Sequence, residues 1–128
     1  MCWLSLCYGL AGVENGVNAT GYIGGAVSVL AGCLGLVWPR RVSAVIGLQL
    51  PGQLGVSEFR ATYGGLFIGA GLATLVLGSR DAALVLGAAW AGAFAARAVS
   101  VVVDRSWSRE NAAGLAVEAA VAALLLLS

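Results

Sequence analysis

The sequence predicts an all-α fold, a bundle of four transmembrane helices preceded by a short N-terminal interfacial or re-entrant segment. Three observations lead there. Of the 128 residues, 60% are hydrophobic and only 10% charged, whereas a soluble domain carries roughly 25% charged residues to cover its surface. The mean hydropathy is +0.94. The apolar residues also gather into four stretches of about 16–22 residues, the length of a bilayer span rather than of a soluble helix's apolar stripe.

In chain order, residues 1–16 form the N-terminal segment: 3–13 is apolar but too short to cross, and Glu14, Asn15 and Asn18 separate it from the first span. No Arg or Lys precedes Arg40, so the positive start of a signal peptide is missing. Residues 17–128 form the membrane domain, with spans at about 17–38, 61–78, 82–103 and 112–127. Pro39 stops the first span. Residues 40–57, with Pro51-Gly52, make the one long connection, apolar enough at Val45, Ile46, Leu48 and Leu50 to lie in the interface. Arg80-Asp81 makes a tight turn, so the second and third spans are antiparallel neighbours, and residues 104–110 do the same for the third and fourth. Glycines and β-branched residues within spans do not oppose helix, because backbone groups in lipid must be satisfied inside the segment. The pairs Gly21/Gly25, Gly65/Gly69 and Gly92/Ala96 have the small-xxx-small spacing of closely packed membrane helices, serving internal packing or a dimer face.

Absences exclude several chemistries. Without His there is no Ser-His-Asp triad, His-ligated haem or His-containing zinc site. Without Lys there is no Schiff base and no phosphate-binding loop with its lysine. Cys2, Cys7 and Cys33 are odd in number and lack CxxC spacing, so they read as buried thiols rather than disulfides or metal ligands. No metal or cofactor is expected, and a net charge of +1 provides no nucleic-acid footprint. Asn18-Ala19-Thr20 has the form of a glycosylation sequon, but it stands at a membrane entry in a chain whose Arg-only basicity looks bacterial. The arginines also set orientation: Arg40, Arg41, Arg60, Arg105 and Arg109 share one side and Arg80 lies alone on the other. The positive-inside rule then predicts a multi-pass protein of the bacterial inner membrane with N- and C-termini outside.

Arg97 and Glu118 lie inside the third and fourth spans, each roughly 10 Å deep at about 1.5 Å of rise per residue. An unpaired charge near the bilayer centre costs about 2.5–3.5 kcal/mol, so the two are expected to pair. At the entry to the second span, helical spacing puts Arg60, Tyr63 and Phe67 on one face and Glu58 with Thr62 on a neighbouring one. Two acids, two arginines and a phenol thus converge between the second, third and fourth helices, with Trp90 and Phe94 as the apolar floor. Glu58 and Arg60 could instead snorkel to the headgroups.

The string Glu58-x-Arg60-Ala61-x-Tyr63-Gly64-Gly65, with Arg97 late in the next helix and an acid in the last, resembles an uncharacterised family of small four-helix bacterial integral membrane proteins, catalogued as a domain of unknown function. The resemblance covers about residues 17–127 and implies fold, membrane location and importance of the motif residues, but no reaction. On the residues themselves, the first expectation is a protein that binds a lipophilic molecule or a partner membrane protein, as a homodimer or a complex subunit. In it Arg60, Tyr63, Arg97 and Trp90 form the ligand site. The alternative is a cofactor-free membrane enzyme, an acid–base isomerase, cyclase or epoxide-opening enzyme using Glu118 and Glu58 as acid or base with Arg97 and Arg60. A carboxyl group in apolar surroundings has the raised pKa that proton transfer needs. A proton-coupled transporter is a third class, disfavoured by the lack of any inverted repeat.

Overall fold

The computed structural model describes residues 16–128, and the predicted N-terminal segment up to residue 15, with Cys2 and Cys7, lies outside them. Among the described residues there are five helices and no strand: α1 Ala19–Val37, α2 Pro39–Val45, α3 Gly52–Leu77, α4 Arg80–Val103 and α5 Arg109–Leu126. Each boundary has a local cause. Asn18 caps α1, its side chain accepting from the backbone N–H groups of Thr20 and Gly21; this role accounts for the Asn-Ala-Thr string. Pro39 does end the first span, yet as the first residue of a new short helix, where its missing N–H is no loss. Gly78 closes α3 in the left-handed conformation at φ 55°, and Ser79 immediately caps α4. Ser108 caps α5.

Three expectations are corrected here. The second long helix starts at Gly52, not at 61, and residues 40–57 are not one connection, because α2 and the first turns of α3 occupy most of them. Polar Ser57, Glu58 and Arg60 hid this helical stretch from an apolar-run reading. Cys33, expected to be buried, is exposed on α1.

The helices pack as two pairs, α1 with α3 and α4 with α5, joined by α1 against α5 and by the upper part of α3 against α4. A shared apolar cluster holds Val17, Ala83, Leu86, Trp90, Val121, Ala122 and Leu125 together. At the same end Val17 N–H donates to Gly78 O at 2.9 Å, and Asn18 Nδ2 to Leu127 O at 3.3 Å.

Polar side chains lie inside the fold while large apolar ones lie on its surface. Ser28 and Thr74 are 0% exposed while Val76 is 80% exposed, and Leu30, Val85 and Val102 also face outward. Each of these two hydroxyls is satisfied within its own helix, Ser28 by Gly24 O and Thr74 by Ala70 O. Helices α1, α3 and α4 are long and apolar enough to cross a membrane. α5 is shorter, opens on Arg109-Glu110 and carries Glu118 midway.

The glycine spacing selected from sequence is only partly the one used. A Cβ on Gly32 would stand 2.8 Å from Gly64 O and Ile68 N, and one on Gly71 2.8 Å from Gly25 O; one on Gly35 would meet Tyr63 O. Gly25, Gly32 and Gly35 of α1 therefore lie backbone to backbone against Gly64 and Gly71 of α3. Gly69 and Gly92 face open space, and Gly65 meets only its own helix.

Candidate functional site

Arg97 and Glu118 meet where α4 and α5 run antiparallel. Arg97 Nη2 donates to Glu118 Oε1 at 2.8 Å, and Nε reaches both carboxylate oxygens at 2.9 and 3.0 Å. Nη1 donates to Asn111 Oδ1 at 3.1 Å, and Asn111 Nδ2 donates to Ser106 O at 2.6 Å. This is the only ion pair among the described residues, and Glu118 is buried while the Arg97 side chain stays 28% exposed. Two members escape the sequence reading, Asn111 and Gly114. A Cβ on Gly114 would fall 2.8 Å from Arg97 Cζ, so the glycine makes room for the guanidinium. The spacing Asn111, Gly114, Glu118 puts all three on one face of α5, and that periodicity was available as a signal.

Tyr63 is 37% exposed and makes no side-chain hydrogen bond among the described residues. Its ring stacks between Phe59 (4.6 Å between centroids) and Phe67 (6.2 Å), and Phe67 meets Trp90 edge-on at 5.0 Å. Trp90 is buried and donates its indole N–H to Ser28 Oγ at 3.0 Å, so it anchors this aromatic ladder to α1. Phe94 shares the Trp90–Arg97 face of α4 and is itself exposed.

Arg60 does not join Tyr63. Its Nε donates to Leu36 O at 3.1 Å, closing one of the unpaired carbonyls at the end of α1. Glu58 is exposed and makes no ion pair among the described residues. The cause is the winding of α3: Arg60–Leu66 is π-helical. A π-turn bonds five residues on rather than four, so residues three apart, such as Arg60 and Tyr63, swing away from one another. The shared face of Arg60, Tyr63 and Phe67 expected from α-helical spacing is therefore corrected to Phe59, Tyr63 and Phe67. The π segment, held against the α1 glycines, makes almost no close backbone approach to α4. The two helices diverge there, toward the arginine-rich end.

What fold and cluster together define is a class: small all-α proteins with membrane-length apolar helices and an arginine–carboxylate centre between two of them. Residues 18–128 match the family model described as a domain of unknown function, DUF4345, and the chain belongs to that family. The π-turn coincides with the motif Arg60-Ala61-x-Tyr63-Gly64-Gly65; π segments are frequent at functional sites. No curated protein and no solved structure matches the chain.

Proposed function

We propose that this chain is a multi-pass protein of the bacterial inner membrane. In this reading a lipophilic molecule enters between α3 and α4 and is held through an oxygen atom by Tyr63 and Arg97. The carrying observation is an exposed phenol without a hydrogen-bond partner among the described residues, in the aromatic row that meets α4 at Trp90, with the partly exposed Arg97 guanidinium two turns further along the same face of α4. Binding is favoured over proton transfer because Glu118 is engaged by two nitrogens of Arg97, and Arg60 is turned to α1. The reading takes α5 as a fourth span, with Arg109 and Glu110 at its solvent end and Glu118 neutralised by Arg97.

Mass spectrometry of lipophilic molecules extracted with the detergent-purified protein tests it. Tyr63→Phe is expected to lower ligand content about two- to tenfold, the worth of one hydrogen bond, with no change in thermal unfolding, since the hydroxyl has no partner among the described residues. Unchanged ligand content in Tyr63→Phe rejects the site.

Docking of a membrane partner is the second reading, favoured by Gly65 and Gly69 on α3 and Gly92 and Ala96 on α4, all exposed. Such small residues are where membrane helices approach closely. If Gly69→Leu and Gly92→Leu leave the oligomeric state in detergent unchanged, that face is not a self-association surface.

The orientation rests on five arginines at one end of the helices against Arg80 at the other. In intact cells Ser79→Cys is expected to label from outside and Ser106→Cys to be protected. The reverse pattern inverts the topology.

A further inference from the structure

Two adjoining hollows lie where α1, α2 and the start of α3 meet, apart from the Arg97 centre. One, of about 380 Å³, is lined by Leu34, Trp38, Val42 and Val45, with Arg41 at its edge. The other, of about 270 Å³, is lined by Arg40, Arg41, Arg60, Trp38 and Val56 among others. Trp38 and Arg41 belong to both, so an apolar compartment runs directly into a cationic one. No acidic residue lines either. Among the described residues none of the three arginines has an ion-pair partner, and Arg60 spends only its Nε on Leu36 O.

From this juxtaposition we infer that the corner is a binding site for an anionic phospholipid. The phosphate sits among Arg40, Arg41 and Arg60, and one acyl chain lies along Leu34, Trp38, Val42 and Val45. Guanidinium groups recognise phosphate oxygens in pairs. A tryptophan belongs at the headgroup level, where its ring faces hydrocarbon and its N–H faces water. Basic pockets between helix ends select anionic headgroups in the same way. The short helix α2 is what makes the two compartments: leaving α1 at Pro39, it carries Arg40 toward one hollow, Val42 and Val45 toward the other, and Arg41 to both. The inference requires the chain to sit in a bilayer but nothing of the Arg97 site.

The test is fluorescence quenching by lipids with brominated acyl chains, in vesicles of phosphatidylcholine containing brominated phosphatidylglycerol or brominated phosphatidylcholine. The Trp38 signal is the difference between wild type and Trp38→Phe. Preference for the anionic lipid of about tenfold or more is expected, and its loss in the double variant Arg40→Gln/Arg41→Gln. These side chains are exposed, so folding should be retained. The preference should persist in Arg105→Gln/Arg109→Gln, which removes the same charge from the same end, and inorganic phosphate should not displace the lipid. Equal quenching by both lipids in wild type overturns the site while still reporting insertion. An undiminished preference in Arg40→Gln/Arg41→Gln, its loss in the Arg105/Arg109 control, or displacement by inorganic phosphate overturns it as well.

Discussion

Glu118→Ala is expected to lose most of its folded, monodisperse protein on detergent extraction, a destabilisation of about 3–5 kcal/mol. The carboxylate is buried and answers two nitrogens of Arg97. Removing it leaves a guanidinium between α4 and α5 with only Asn111 as partner among the described residues. Arg97→Ala strands the charge the other way and should cost as much. Replacing both with apolar residues, Arg97→Met/Glu118→Leu, is expected to be more stable than either single variant, because the desolvation cost of both ions goes with them. Exchanging the two residues should recover only part of the loss, since Glu at 97 cannot donate to Asn111 Oδ1. Thermal unfolding of the four variants in detergent decides this. A double apolar variant no better than the worse single one would mean that the pair does not carry the α4–α5 contact.

Adding a single methyl where α1 and α3 meet should have opposite consequences from adding one on the outer faces of α3 and α4. Gly32→Ala and Gly71→Ala place Cβ within 2.8 Å of backbone atoms that cannot rotate away, so each is expected to lower stability by about 1–3 kcal/mol. Gly69→Ala and Gly92→Ala meet nothing and gain up to about 1 kcal/mol of helix propensity. The four unfolding midpoints in one detergent check the contrast. A neutral Gly32→Ala would show that α1 and α3 do not pack backbone to backbone.

The prediction at Gly69 would have been reversed on sequence alone, and the reason is general for this chain. With 19 glycines, small-xxx-small spacings arise on several helix faces, and nothing local distinguishes a face that meets a neighbour from one that meets lipid. The meeting of Arg97 and Glu118 was legible because only two quantities enter it: the rise per residue and a turn short enough to make α4 and α5 antiparallel neighbours. Both are local.

The alternation of apolar runs with Arg80-Asp81, Pro39 and the 104–108 turn was local as well, so the order of the helices and the charge bias between their ends could be read directly. Helix winding and helix docking are not local. The π-turn at Arg60–Leu66 exists where Gly64 lies against Leu36 and α1 glycines stand against the Tyr63 and Gly64 carbonyls. It sends Arg60 to the end of α1 and leaves Tyr63 facing the α4 side. The sequence by itself determined the order of the apolar helices and which two charges meet; the tertiary structure alone decided which glycines touch and how the motif's segment winds. A half-turn of winding depends on what the neighbouring helix presses against.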